Sequence, residues 1–283
     1  MSKLVRLPAR GVIAVGGEDR VAFLQGLVSN DVTIAAPGRC VWAALLSPQG
    51  KWLADFFIFA TPDHLLLDCE VGQIEMVAQR LSRFRLRSRV AIARRDDRAV
   101  FAAWDDSPPP LAGGGWGEGS NPPAITAPDP RHPESGHRIL SPAPLPETAT
   151  FADWDRHRLS LGLPDGSRDL EPERTVLLEA GFDELNGVSW AKGCYMGQEL
   201  TARTKYRGLV KRRLVPVHIE GAVPSPGSPI LRESTEIGTM RSSCGDLGLA
   251  LLRLDSLTDP LVSAGARIEP RIPAWMRLPE AAA

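Results

Sequence analysis

The amino-acid sequence predicts an α+β protein that ends in a small antiparallel β domain. Helical and strand-like patterns alternate over residues 1–104, and a segment rich in proline and glycine follows over residues 105–148. Between residues 209 and 255, short apolar stretches are separated by glycine and proline, as in a small antiparallel sheet or barrel. These observations divide the chain into an N-terminal α+β region (1–104), an insertion (105–148), a central region (149–208) and a C-terminal β domain (209–283).

The N-terminal region is expected to begin with a helix and a hairpin. Residues 18–28 place Val21, Leu24 and Val28 on one face at helical spacing, and acidic residues at the start suit a helix N-terminus. Two apolar runs over residues 41–61 are separated by residues 47–50, where proline and glycine favour a turn. A strand over residues 65–70 and a helix over residues 71–84 are predicted to follow.

The end of this region alternates between basic and apolar side chains. The alternation over residues 83–92 predicts a strand with one arginine-rich face, formed by Arg83, Arg85, Arg87 and Arg89. Such a face is either solvated or a contact surface for a polyanion such as tRNA or for an acidic partner. In the insertion, proline and glycine clusters sustain neither a helix nor strand pairing, so a long loop is expected; residues 151–163 then predict a helix.

Composition favours an ordinary globular protein. The formal net charge is -1, so no global field points to nucleic acid or to a membrane, and no apolar run is long enough to span a bilayer. The N-terminus lacks the apolar stretch of a signal peptide. The four cysteines show neither CxxC spacing nor a zinc pattern with histidine, so we expect no metal site, reduced thiols and a cytoplasmic protein.

The residues best suited to chemistry lie around Cys194. A flexible Gly193 precedes the cysteine, Lys192 is adjacent, and a short helix is expected soon after. If that helix begins near Gly193, its dipole and Lys192 both favour the thiolate, the reactive form of the side chain. Cys194, Gln198 and Glu199 are therefore the candidate catalytic residues. The alternative is that Cys194 is a small apolar filler with solvated neighbours.

A family resemblance rests on this segment. Residues 192–199, KGCYMGQE, match every fixed position of the motif K-G-C-[Tyr or Phe]-x-G-Q-E, and the surrounding residues 177–203 match its context. The segment resembles the signature of the YgfZ family of folate-binding proteins, which are related to the aminomethyltransferases of glycine cleavage and to mitochondrial iron–sulfur assembly factors. Residues 23–33, 50–59 and 237–255 resemble the flanking blocks of that family.

The resemblance implies a ring of three domains around a hole that binds tetrahydrofolate. It also implies a role in maturing or repairing iron–sulfur proteins, including radical enzymes that modify tRNA, with iron–sulfur client proteins or cluster carriers as partners. Cys194 would serve as a transient cluster ligand or as a redox group. Two other functions stay open: a folate-dependent one-carbon transferase, and a tRNA-binding protein that uses the arginine-rich face.

The resemblance also suggests pocket residues. Glu179 is the candidate reader of the pterin edge, because related transferases carry Glu-Ala-Gly at the matching place, and Asp183 competes for this role. Lys192 and Arg203 are candidates to bind the anionic glutamyl tail. The alternative for Glu179 is a glutamate on a helix surface next to a glycine cap.

Two more residues are expected near the pocket, Asn30 and Asp55. Asn30 either lines the pocket or caps and turns the chain. Where the transferases have paired acids, this chain has Ala54 followed by Asp55. The missing first acid argues against transfer of a methylamine group, because no general base stands at the expected place.

Overall fold

The computed structural model describes residues 2–105, 123–257 and 260–278, which form two units of mixed α and β structure. The first unit comprises Met1–Leu46, Leu53–Trp154 and Asn186–Met196. The second comprises Ser47–Trp52, Asp155–Leu185 and Gly197–Ala283. The chain therefore passes between the units several times.

The first unit contains a five-stranded and a four-stranded sheet. The elements in chain order are β1 Lys3–Arg6, β2 Arg10–Gly16, α1 Arg20–Gln25, β3 Val41–Leu46, β4 Trp52–Ala60 (whose first residue belongs to the second unit), β5 His64–Glu70, α2 Ile74–Phe84, β6 Ala91–Arg95, β7 Ala99–Trp104, β8 Ile125–Pro128 and β9 His137–Ser141. The strand orders are β3-β4-β5-β2-β6 and β1-β7-β9-β8. Helices α1 and α2 pack on the larger sheet through Leu24, Val77 and Leu81, which are fully buried with Ile13 and Ile58.

A network of buried charges lies in the first unit. Asp68 of β5 accepts hydrogen bonds from Arg10 of β2 and from Arg138 of β9, at 2.7 and 3.0 Å. Asp129 accepts from Arg131 at 2.7 Å. All five side chains are at most 5% exposed. Because each buried charge has a partner of opposite sign, the network avoids the large cost of an unpaired buried ion.

The second unit ends in a closed β-barrel. Its elements are α3 Phe151–Leu161 (which begins in the first unit), α4 Gln198–Tyr206, β10 Arg212–Glu220, β11 Pro229–Arg232, β12 Thr235–Cys244, β13 Leu247–Arg253, β14 Leu261–Ser263 and β15 Ala266–Pro270. The six strands close in the order β10-β13-β12-β11-β14-β15 through antiparallel pairs, and β15 pairs back onto β10. Alternate residues such as Val215, Val217 and Ile219 fill the core of the barrel.

Much of the predicted secondary structure is confirmed. Helices α1, α2 and α3 and the hairpin of β3 and β4 lie within the predicted segments, and β5 begins one residue before its predicted start. The expected short helix after Cys194 is α4, and the C-terminal region is an antiparallel barrel. The predicted helix over residues 18–28 is shorter in the structure, because α1 ends at Gln25.

Two expectations are wrong. Residues 83–92 do not form one strand: α2 continues to Phe84, a turn follows, and β6 starts only at Ala91. Leu86 sits in this turn with φ of 43° and is 88% exposed, so the arginines do not share a strand face. Residues 105–148 are not a loop throughout, because β8 and β9 form there, β8 pairs with β9, and β9 pairs with β7. The remainder of that expectation, residues 106–122, lies outside the described residues.

Candidate functional site

Residues 186–196 of the first unit form the irregular segment that carries Cys194, here named the Cys194 loop. Its beginning is held by side chains of Ser29 and Asn30. The Ser29 hydroxyl donates a hydrogen bond to the Gly187 carbonyl at 2.7 Å, and the Asn30 side-chain amide donates to the Asn186 carbonyl at 2.7 Å. The Ser189 amide donates to the Ser29 carbonyl at 3.1 Å. The loop is thus attached to the turn that follows α1.

Lys192 is the second attachment of this loop. Its ammonium group donates three hydrogen bonds to backbone carbonyls, those of Gln25 and Val28 at 2.7 Å and of Asn30 at 2.8 Å. The residue is 7% exposed. Burial lowers the pKa of Lys192 to about 8, and the nearby Asp31 carboxylate opposes this shift. Lys192 was expected to bind a glutamyl tail. In the structure, its ammonium group already donates all three hydrogens to carbonyls of the first unit.

Cys194 itself is exposed. Of the four cysteines, Cys40 and Cys69 are buried and Cys244 is half-buried. Burial raises the pKa of the Cys69 thiol to about 12 and raises that of Cys40 as well, so these two thiols stay protonated at neutral pH. Cys194 is therefore the cysteine of this chain that a partner can reach most readily.

The helix that follows the cysteine begins later than its sequence suggested. Helix α4 starts at Gln198, after Gly197 at φ of 79°, so it does not begin near Gly193 and Cys194 lies outside it. Gln198 is the half-buried first residue of α4, and Glu199 is exposed in the first turn. Both belong to the second unit.

Asn30 and Asp55 are both buried in the first unit. The Asn30 side-chain amide also donates to the Trp42 carbonyl at 2.8 Å, and its side-chain oxygen accepts from the Asp31 amide at 2.9 Å. These contacts agree with the alternative in which Asn30 turns the chain. Asp55, 3% exposed, accepts a hydrogen bond at 2.9 Å from the indole nitrogen of Trp42.

Glu179 lines a polar cleft in the second unit. The cleft has a volume of about 340 Å³, and its charged lining residues are Asp169, Glu171, Arg174, Glu179, Arg212 and Arg241. Burial raises the pKa of Glu179, whereas the charges of Lys51 and Arg212 lower it, and the net shift is upward. A ligand that carries both hydrogen-bond donors and a negative charge suits this cleft, because the partly desolvated carboxyl accepts hydrogen bonds and the arginines pair with the negative charge.

Asp183 and Arg203, two further candidates in the second unit, do not line this cleft. Asp183 forms an ion pair with Lys205 of α4 at 3.0 Å. Arg203 is exposed on the same helix. Sequence reasoning missed Arg174, Arg212 and Arg241 as cleft residues, because they are far apart in the chain and no local pattern shows that they face one cleft.

One further group of side chains has the composition of a metal site. One ligand atom of each of His218, Glu220 and Glu269 lies within 4.8 Å of the others, on neighbouring strands β10 and β15. Both glutamates already pair with arginines, Glu220 with Arg267 at 3.5 Å and Glu269 with Arg271 at 2.9 Å. The composition of this group alone does not identify a bound ion.

Comparison with known proteins identifies the family. Residues 211–278 match the family model of the CAF17 C-terminal β-barrel domain. The chain is 32% identical to the human mitochondrial iron–sulfur cluster assembly factor IBA57 over 299 residues, covering 95% of this chain and 84% of the human protein. The mouse IBA57 protein is also 32% identical, covering 90% of this chain and 79% of the mouse protein. The chain belongs to the IBA57 family.

This assignment refines the resemblance seen in the sequence. The matches identify the IBA57 family. Membership of YgfZ, a related bacterial family, stays a prediction. The crystal structure of glycine cleavage system aminomethyltransferase T from Bartonella henselae superposes with a TM-score of 0.71 at 14% identity, over 96% of this chain and 85% of that chain. This likeness confirms the expected aminomethyltransferase-type fold with its C-terminal barrel.

The expectation of a cytoplasmic protein is wrong. The IBA57 proteins of human and mouse are named as mitochondrial, which conflicts with that expectation. Cysteine spacing misled here, because it reports only that no disulfide framework is present and does not separate one reducing compartment from another. In the part of the chain that the structure describes, no helix is both long and apolar enough to cross a membrane.

Proposed function

We propose that this chain acts in the assembly of iron–sulfur clusters on client proteins, with Cys194 as a transient ligand of the cluster. The observation that carries the proposal is an exposed cysteine on a loop held at both ends, in a chain that belongs to a family whose named members are iron–sulfur cluster assembly factors. Clusters are bound chiefly by thiolates, so a reachable thiol is the chemical requirement for this role.

The proposed step is an exchange of ligands. The Cys194 sulfur forms a bond to one iron of the cluster as the carrier thiolate on that iron leaves, and the proton of the Cys194 thiol passes to the departing carrier thiolate. That bond breaks when a thiolate of the client protein takes its place on the same iron, so no electron is transferred. One thiolate does not hold a cluster alone, so the other irons stay bound to cysteines of a carrier protein throughout the step. The partners are therefore iron–sulfur proteins, with radical enzymes that modify tRNA as one client class.

The experiment is complementation of a host that lacks its own family member. The measured quantity is the activity of a [4Fe–4S] enzyme, divided by the amount of this chain present in folded form. We expect Cys194→Ser to abolish complementation and Cys244→Ser, a change at a half-buried cysteine, to preserve it. If Cys194→Ser complements as well as the parent chain, Cys194 is not the ligand.

The same proposal includes tetrahydrofolate as a bound cofactor. A pterin edge presents a ring N–H beside an amine, and one carboxylate accepts both hydrogen bonds. Glu179 offers this carboxylate in a cleft whose volume of about 340 Å³ suits a small molecule. Arg174 and Arg212 line the same cleft and carry the charge that an anionic glutamyl tail requires. The residues of the cleft therefore fit the group.

Anaerobic calorimetry with tetrahydrofolate tests this part. We expect Glu179→Gln to weaken binding at least about tenfold, because the amide replaces one of two acceptors by a donor. Glu236→Gln, at an exposed position on β12, is the matched control and should bind as the parent chain does. Equal affinity of Glu179→Gln and the parent chain would remove Glu179 from the folate site without affecting the role of Cys194.

A further inference from the structure

The attachment of Lys192 differs from that of an ordinary buried lysine. Lysines are almost never buried without an acidic partner, and here all three ammonium hydrogens are donated to uncharged backbone carbonyls, those of Gln25, Val28 and Asn30. The distances of 2.7 to 2.8 Å are those of charge-assisted hydrogen bonds. The ammonium also lies 5.1 Å from the centre of the Tyr195 ring, on the other side of Cys194 in the chain.

One of the three carbonyl oxygens belongs to Gln25, the last residue of α1, and the other two belong to Val28 and Asn30 in the turn that follows the helix. The last turn of a helix leaves carbonyl groups without an intrahelical partner, and these carry the negative end of the helix dipole. Side chains of lysine are well suited to such groups near a helix C-terminus. The turn over residues 25–30 therefore presents three acceptors to one cation, whatever side chains those residues carry.

The far side of Cys194 is attached to the same turn. The Met196 amide donates to the Gly26 carbonyl at 3.2 Å, while Tyr195 is 7% exposed. Between the two attachments, Cys194 is exposed and Gly193 has no neighbouring atom within 4 Å of the position where a Cβ would stand. The residues on both sides of the thiol are thus fixed, and the space around the thiol is open.

We propose that Lys192 is a positioning residue that holds the Cys194 loop in a single conformation by binding the three carbonyl oxygens of the turn after α1. Its effect on Cys194 comes from the geometry of these contacts rather than from the charge of the ammonium group. The consequence for cluster transfer rests on the proposed function, whereas the claim about the loop does not.

A spin label on Cys194 reports the conformation of the loop directly. The background variant is Cys244→Ser, which leaves Cys40 and Cys69 buried and Cys194 as the reactive thiol. In this background we expect a nitroxide at Cys194 to give a spectrum dominated by the slow component. Lys192→Met, which keeps the length of the side chain but donates no hydrogen bond, should raise the mobile fraction at least about threefold as the loop gains nanosecond motion.

Two further variants separate the possible causes. Lys192→Arg keeps the positive charge, but a planar guanidinium does not match three carbonyls arranged around one ammonium, so the mobile fraction should rise as it does in Lys192→Met. Ser29→Ala removes one of the hydrogen bonds that hold the beginning of the loop, the one to the Gly187 carbonyl, and should raise the mobile fraction less than Lys192→Met does. A parent-like spectrum of Lys192→Arg or of Lys192→Met would overturn the proposal, and so would equal loosening by Ser29→Ala.

Hydrogen exchange on the unsubstituted chain keeps the proposal testable even if a Lys192 variant does not fold. The amides of Ser189 and Met196 both donate to the turn over residues 25–30, and we expect their exchange to be at least about tenfold slower than that of Gly193. Exchange of all three amides at the rate of an unstructured peptide would overturn the proposal. A failed complementation test of Cys194→Ser would leave both loop measurements unchanged, so the two proposals fail separately.

Discussion

Arg158 of α3 offers a quantitative test of how the second unit is held together. Its guanidinium is 1% exposed and donates to Asp155 at 2.6 Å, to Asp169 at 2.7 Å and to the Ser242 hydroxyl at 2.6 Å. It thereby joins the helix to strand β12 of the barrel. Asp169 also lines the cleft that contains Glu179, so the same contacts shape one wall of that cleft.

Replacing Arg158 by methionine removes the cation and leaves its acidic partners buried. Breaking a buried ion pair in this way costs about 3–5 kcal/mol of unfolding free energy. We expect a value near about 3 kcal/mol, because each carboxylate keeps some of its other partners. Asp155 keeps Arg168 at 2.7 Å, and Asp169 keeps the amide and hydroxyl of Ser242 at 3.1 and 2.5 Å.

Urea-induced unfolding measures this loss as a lower midpoint at an unchanged slope. Arg156→Met is the matched control on the same helix, since its ion pair with Asp246 is largely exposed and contributes little. We expect its midpoint to stay close to that of the parent chain. Equal midpoints for the two variants would refute the assignment of Arg158 as the residue that joins α3 to the barrel.

Two more predictions concern acid stability and a turn glycine. Burial alone would raise the pKa of Asp129, but its arginine partners hold the pKa below the usual 3.8. The stability that the Asp129 carboxylate contributes is therefore complete above about pH 3.8, and it is lost as the pH falls through the pKa of Asp129 in the folded protein. Thermal midpoints between about pH 5 and pH 3 should therefore fall less steeply in Asp129→Asn than in the parent chain. Gly50 has φ of 79°, and a Cβ there would lie 2.6 Å from the Gly197 carbonyl oxygen. Gly227 is the control, because its φ is 84° but the space around it is open. We therefore expect Gly50→Ala to lower the urea midpoint more than Gly227→Ala does. Equal shifts of the two alanine variants would contradict the steric argument.

Local periodicity was sufficient for the elements that bury one face. Helix α2 was predicted because its apolar residues recur at helical spacing, and Val77 and Leu81 are indeed fully buried. The same reasoning failed over residues 83–92, because strict alternation across only seven residues also fits the end of a helix followed by a turn. Leu86, apolar but 88% exposed, is the residue that made this turn look like a strand.

The candidate site was only partly predictable for a different reason. Cys194 and Glu179 were found because a motif and a matching tripeptide point to them. The partners of Lys192 could not be found in this way, since they are main-chain carbonyls, and a carbonyl leaves no trace in the identity of its residue. The arginines of the cleft are likewise brought together by the barrel and by the segment before it, which local patterns do not describe.

Under the proposed function, two demands on a transient cluster ligand account for the structure of the Cys194 loop. First, the sulfur must be accessible to two proteins in turn, which excludes burial in a packed core. Second, a freely moving loop would have to be ordered at each encounter, at a cost of about 1–2 kcal/mol for every residue fixed. Attaching Lys192 and Met196 to main-chain carbonyls supplies that order beforehand while leaving the thiol exposed. A loop that is fixed at its ends and open at its thiol therefore combines access to the thiol with a low cost of ordering. Lys192→Met should leave the thiol accessible but raise the cost of ordering the loop.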